Sequence, residues 1–239
     1  MFGTNIGPSY RLFRAFGIPV EASASSAILL VMVLFAFGGG SDPANMIASL
    51  LVAAVVFISV IAHELGHGLA VKKLGHGIGR VVLGPMGGVL IWDGTRATRA
   101  DRVKVSLAGP AVSLMLAVIG FLAYLPFHHA GGYGWAQAMA EPVFGLKLLK
   151  VTFFSMATLN LMWAVFNMLP IYPLDGGQAL RSAMGMKMRQ RAAMKRSLQV
   201  SMVTAGLGVV AGALTGTLFI PILLGYLAYM NWQEWQRNF

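Results

Sequence analysis

The sequence predicts an all-α polytopic membrane protein with about six transmembrane helices. Three observations lead there. Of 239 residues, 57% are hydrophobic and 11% charged, where soluble domains carry roughly 25% charged residues. Mean hydropathy is +0.71. Apolar runs almost free of charge recur at about 22–40, 44–71, 105–127, 151–170, 198–214 and 217–232. Each is judged against the roughly 17–25 residues that a helix needs to cross a bilayer.

The stretch before the first run, "MFGTNIGPSYRLFRAFGIPVE", is not a cleavable signal peptide, because Arg14 and Glu21 interrupt any apolar core. The run at 22–40 is short for a span. Those at 44–71, 105–127 and 151–170 are clear. The segment 128–147, "HHAGGYGWAQAMAEPVFGLK", reads as an outward loop too short to hold a domain, with His128 and His129 as ordinary solvated or interfacial residues. His76, after the second run, reads the same way. The last two runs share one uncharged stretch split only by "ALTGT", so a single span with a re-entrant piece is the alternative to two. There is no internal repeat, low-complexity tract or linker to a soluble domain. Residues 1–239 are expected to form a single domain. Without cysteine the chain has no disulfide framework and no thiolate ligand or nucleophile.

The net charge of +10 could suggest nucleic acid, but its placement argues otherwise. With a cytoplasmic N-terminus, the inward segments are 1–21, 72–104, 171–196 and the tail. They hold every Lys and Arg except Lys147 and Lys150. That asymmetry is the positive-inside rule. It predicts a multi-pass integral membrane protein with both termini cytoplasmic, the lipid bilayer with anionic headgroups as a neighbour, and no nucleic-acid partner.

Within the second run stands "HELGH". Ionisable groups at such depth are costly and point to a functional or metal partner. On a helix, His63 and His67 lie at i and i+4, on one face, and can aim two imidazoles at one point. Glu64 sits beside them. H-E-x-x-H supplies two zinc ligands and a general base: the metal lowers the pKa of its water toward ~7 and the glutamate takes the proton. The plainer alternatives are chance and a structural polar cluster between helices. Gly66 and Gly68 remove side chains nearby, allowing a helix or substrate to come close.

A catalytic zinc takes three protein ligands and keeps one position open. The carboxylate candidate is Asp175 in "NMLPIYPLDGGQAL". Pro170 and Pro173 break the helix there, and Gly176 and Gly177 permit turns closed to other residues. An unwound segment can thus fold a carboxylate back at depth, where irregular backbone survives only inside protein or along a polar cavity. The alternative is that Asp175 only N-caps the helix beginning "GGQALR". By the predicted topology His63, His67 and Asp175 fall at the same membrane face.

"HELGH" together with "NMLPIYPLDGG" resembles the site-2 proteases, the intramembrane zinc metalloproteases. Their second signature, N-x-x-P-x-x-P-x-D-G, is matched by Asn167, Pro170, Pro173, Asp175 and Gly176. "FGIPVEASASSAILLVMVLF" is similar to the family's first span, "LGPMGGVL" to its membrane-associated β-hairpin after the HExxH helix, and "SLAGPAVSLMLA" to its third span, with Ser113 where asparagine is common. The resemblance covers roughly 10–235 and is to the compact six-span form, with no PDZ-like insertion and no CBS domain following.

The resemblance implies one zinc ion per chain bound by His63, His67 and Asp175, with Glu64 as general base. It implies that Asn167 contacts the substrate backbone or holds the catalytic geometry, a helix–helix hydrogen bond being the alternative. Asn160 is read first as such a bond. Gly87 and Gly88 would shape the hairpin edge, against which an unwound substrate could pair as an added strand; a plain turn is the alternative. The implied reaction is hydrolysis of a peptide bond within or near the transmembrane helix of a single-span membrane protein, in a prokaryotic plasma membrane. Two rivals remain. A metal transporter would want ligands on both sides of the midplane or inverted repeats, and neither is present. A catalytically inactive relative that only binds membrane helices sits poorly with an intact Glu64. Oligomeric state is not read from the sequence.

Overall fold

The computed structural model describes residues 8–37, 43–85, 87–127, 138–216 and 218–239. Its elements run β1 (Ser9–Ala15), β2 (Ile18–Ser23), α1 (Ser26–Phe37), α2 (Pro43–Lys73), β3 (Arg80–Gly84), β4 (Gly87–Ile91), α3 (Arg99–Tyr124), α4 (Phe144–Asn167), α5 (Asp175–Lys187), α6 (Gln190–Leu214) and α7 (Phe219–Asn238). His128 and His129 lie outside the described residues.

Four helical stretches are long and apolar enough to cross a membrane: Asn45–Lys73, Arg99–Phe127, Phe144–Asn167 and Gln190–Leu214. The shortest, at 24 residues, reaches ~36 Å at about 1.5 Å per residue, against a hydrocarbon core of ~30 Å. The chain is an integral membrane protein, predominantly helical.

The expected first and last spans come out differently. Residues 22 and 23 end strand β2, and the helix that follows, α1, has 12 residues, only ~18 Å of rise. The uncharged C-terminal stretch is two helices, parted where Gly216 takes φ +72°. Of these, α6 is long and apolar throughout, whereas α7 starts apolar and ends in "QEWQRN". The fourth helix begins at Phe144, earlier than expected, so Lys147 and Lys150 lie within it and are buried. Lys147 Nζ donates to Asn45 Oδ1 at 3.2 Å and Lys150 Nζ to Glu141 Oε2 at 2.5 Å. Cations survive such burial only when paired.

The sheet holds four strands in the order β1-β2-β3-β4. The expected hairpin is β3–β4, antiparallel, with Gly84 opposite Gly87 and Leu83 opposite Gly88. The first hairpin, β1–β2, is an addition. Its turn puts Phe16 at φ 53° and Gly17 at φ 82°, and β2 then runs parallel to β3 with Val20 opposite Val81. Glu21 is buried on β2, where it accepts from Ser9 Oγ at 2.7 Å and pairs with Arg80 at 3.1 Å.

The chain divides into two compact units, residues 1–93 with 111–164 and residues 94–110 with 165–239. In the first, Ile18 and Val20 of β2, Val81 and Leu83 of β3, and Val60 and Leu65 of α2 form one buried cluster. The HELGH helix is thereby packed on the sheet. In the second, Ile171 packs with Ala205 of α6 and Leu224 and Leu227 of α7.

Candidate metal centre

In the first unit, α2 is an unbroken helix, so the i, i+4 spacing acts as written. His63, Glu64 and His67 are all buried, with 2%, 7% and 6% of their surface exposed. The two Nε2 atoms stand 3.2 Å apart. Two nitrogens on one tetrahedral zinc, each at ~2.0–2.1 Å, would be separated by about 3.3–3.4 Å. The imidazole pair therefore fits a shared zinc ion.

The rings are not held by the helix alone. His63 Nδ1 lies 2.9 Å from Ser113 Oγ on α3, and Ser113 is fully buried. With Nε2 turned to a metal, Nδ1 carries the proton and donates it to that hydroxyl. Such a partner fixes both tautomer and ring plane. On a third side the His63 ring meets Trp163 edge to face, centroids 6.4 Å apart. The sequence marks Ser113 only as a departure from the usual asparagine. Its service to His63, 50 residues away, has no local signal.

Glu64 turns to the sheet. A Cβ built on Gly88 would lie 2.5 Å from Glu64 Cγ and 3.3 Å from its Oε1, so the carboxylate side chain rests against bare backbone of β4. That strand has no strand neighbour on its outer side among the described residues. Gly87 has φ +136°, a value other residues rarely adopt. The close approach expected of Gly68 is also present. It is strand residues that come close, with Ile18 Cδ1 at 2.9 Å from where a Cβ would be.

Asn160 is the interhelical hydrogen bond expected of it. Fully buried on α4, it donates from Nδ2 to Ser59 Oγ at 2.8 Å and to Met156 O at 2.9 Å. Ser59 sits one helical turn before His63 on α2.

In the second unit, α4 stops at Asn167, which is half-buried, and the Pro-broken segment carries the chain to Asp175. The Tyr172–Pro173 peptide is cis. Asp175 is buried and opens α5. The N-cap of that helix is Leu174 and makes no side-chain cap, so Asp175 is not the N-cap. Gly176 and Gly177 serve differently from expectation. They are helical, and a Cβ on either would strike backbone, of Met168 and Leu169 for Gly176 and of Ile171 and Tyr172 for Gly177. Their lack of side chains lets the first turn of α5 press onto the break. Among the described residues, the candidate metal ligands are thus His63, His67 and Asp175, all buried.

These candidate ligands belong to a predominantly helical membrane protein, and its likeness to known proteins says to which family it belongs. The model of peptidase family M50 matches residues 51–211, and the chain belongs to that family. A zinc metalloprotease of Methanocaldococcus jannaschii is 28% identical over 229 residues, 96% of this chain and 61% of that protein. A relative in Synechocystis is 30% identical over 189 residues, 75% of this chain and 45% of its own length. The chain thus spans about half the length of these curated relatives. Among solved structures, the site-2 protease from M. jannaschii matches with a TM-score of 0.61 at 25% identity, covering 95% of each chain.

Proposed function

We propose that this protein is an intramembrane zinc endopeptidase that hydrolyses a peptide bond within or near the transmembrane helix of a single-span membrane protein. The observation that carries the reading is the buried pair His63 and His67, Nε2 atoms 3.2 Å apart, with Glu64 between them on the same helix. Membership of family M50 and the likeness to a site-2 protease support it.

One zinc ion per chain would be held by His63, His67 and Asp175, leaving a fourth position open. Bound there, zinc would polarise a water molecule and the scissile carbonyl. The remaining work belongs to the chain's own groups. Ser113 holds the His63 ring. Glu64 takes the proton from the attacking water and passes it to the leaving amine, general acid–base work typically worth ~10²–10⁴-fold. Gly87 and Gly88 leave the outer edge of β4 bare beside Glu64, where an unwound substrate can add as a strand. A transmembrane helix must unwind first, since its peptide bonds are otherwise hidden by their own hydrogen bonds. Asn167 binds the substrate backbone. Both termini and the metal face the cytoplasmic side of a prokaryotic plasma membrane, in keeping with the placement of Lys and Arg.

The test is a panel of single-span substrates offered to wild type and to Glu64→Gln, with zinc content measured on the same preparations. Glutamine keeps the shape but cannot take the proton. Cleavage should fall by at least ~10²-fold while zinc stays at one per chain. Full proteolysis by the zinc-loaded variant would remove Glu64 from its role.

A further inference from the structure

A helix broken inside a membrane leaves backbone groups that lipid cannot satisfy. The break between α4 and α5 shows where its N–H groups and several of its carbonyls go. Met168 N–H and Leu169 N–H return to Val165 O and Phe166 O, Ile171 N–H to Leu169 O, and Leu174 N–H to Ile171 O. Pro170 and Pro173 have no N–H. Gln178 Nε2 donates to Pro173 O at 2.9 Å. Tyr172 is served differently. Its N–H donates to Ser201 Oγ on α6 at 3.0 Å, and its carbonyl accepts from Asn231 Nδ2 on α7. Ser201 Oγ also lies 3.3 Å from Pro170 O, its proton shared between that oxygen and Ser197 O at 2.8 Å. Ser201 and Asn231 are 0% and 1% exposed.

These two side chains are buried polar residues, and each is oriented by what it touches. The Asn231 amide also donates to Leu227 O at 2.7 Å, so its NH₂ end faces two carbonyls. The reverse orientation would set oxygen against oxygen. The amide group therefore has one productive orientation, and it points at Tyr172, three residues before Asp175.

We propose that Ser201 and Asn231 are positioning residues for Asp175: the last two helices grip both backbone groups of Tyr172 and thereby set where the carboxylate sits for the metal. This rests on the reading of Asp175 as a zinc ligand. Neither side chain is among the candidate ligands. Their role resembles that of the outer partners of metal ligands, whose loss costs about 10- to 100-fold in metal affinity.

The test measures zinc affinity of the full-length purified protein by competition with a chelator. The variants are Ser201→Ala, Asn231→Asp, Asp175→Asn, the double variant Ser201→Ala/Asp175→Asn, and Ser197→Ala. Ser197 is the matched control, a buried serine one turn away whose hydroxyl, among the described residues, donates to Met194 O in its own helix. Ser201→Ala and Asn231→Asp should each weaken zinc binding by about 10- to 100-fold, and Ser197→Ala should not. In the Asp175→Asn background Ser201→Ala should add little, because residues acting through one another are not additive. Ser201→Ala removes a single oxygen and keeps the test open should Asn231→Asp fail to fold. Unchanged affinity in Ser201→Ala, an equal loss in Ser197→Ala, or a full-sized effect of Ser201→Ala without Asp175 overturns the grip. Unchanged affinity in Asp175→Asn instead overturns the ligand assignment on which it stands.

Discussion

Gly88→Ala is the sharpest probe of how Glu64 is seated. The added Cβ would lie 2.5 Å from Glu64 Cγ, 3.2 Å from Cδ and 3.3 Å from Oε1. Carbon atoms in good contact stand ~3.5–4.0 Å apart, so the side chain or the strand must give by about 1 Å. Cγ is not the free end of a flexible chain. It sits one bond from Cβ on a helix packed against the sheet through Val60 and Leu65. A displacement of ~1 Å at a reacting group costs on the order of 10²-fold in rate, equivalent to about 2.7 kcal/mol of barrier. Crowding costs a further ~1–3 kcal/mol of stability. The zinc content should persist, because the three atoms nearest the new methyl group all belong to Glu64. The assay is kcat/KM on a cleaved single-span substrate, with zinc content in parallel and Gly84→Ala as the control. A Cβ at Gly84 meets only Gly87 O, at 3.9 Å. Wild-type kcat/KM in Gly88→Ala, or an equal loss in Gly84→Ala, would refute the seating of Glu64 against the strand.

Ser113→Ala leaves the His63 Nδ1 proton without its acceptor and should weaken zinc binding by about 10- to 100-fold, read by chelator competition. Lys150→Met removes the cation beside Glu141 Oε2 in a largely buried setting, where the pair's side chains are 9% and 12% exposed; breaking such a pair costs ~3–5 kcal/mol, so thermal unfolding in detergent should move well below wild type. Single cysteines placed at 181–196 should react with a membrane-impermeant label only from the cytoplasmic side. The chain has no native cysteine to confuse that experiment, and an outward-reactive position would overturn the proposed topology.

Much of the helical architecture was legible because it rests on one strong signal, hydrophobic length. Where that signal is long and unbroken, as in α2 and α3, the reading and the structure agree closely. Where it is short it misled. The run at 22–40 mixes the end of a strand with a helix of 12 residues, because the last residues of β2, Ala22 and Ser23, are uncharged like a span. Strand β1 carries Arg11 and Arg14 among its apolar residues, and its place in a sheet depends on pairing with β2, which no local pattern declares. Lys147 and Lys150 were read as the end of a loop because charge normally ends a span. Their partners Asn45 and Glu141 make burial tolerable, and Asn45 lies 102 residues away in sequence.

The candidate site was legible to a different depth. His63, Glu64 and His67 sit within five residues of one helix, so their spacing reports their geometry directly. Asp175 was legible because Pro170 and Pro173 announce a break. What could not be read was the support. Ser113, Ser201 and Asn231 look alike on paper, each a small polar residue in an apolar helix, and so do Ser59 and Asn160. The expense of a polar group at depth says that each must have a partner; it does not say whether that partner is another helix, as for Asn160, or a candidate metal ligand, as for Ser113. The partner's identity decides, and that is a matter of tertiary contact. His63 borrows its orientation from α3 and the Asp175 segment borrows its backbone partners from α6 and α7. On the reading proposed above, helices that contribute none of the candidate ligands among the described residues are tied to the site through one hydroxyl or one amide apiece. Substitutions there should alter zinc affinity while sparing neighbours such as Ser197, whose hydroxyl, among the described residues, donates within its own helix.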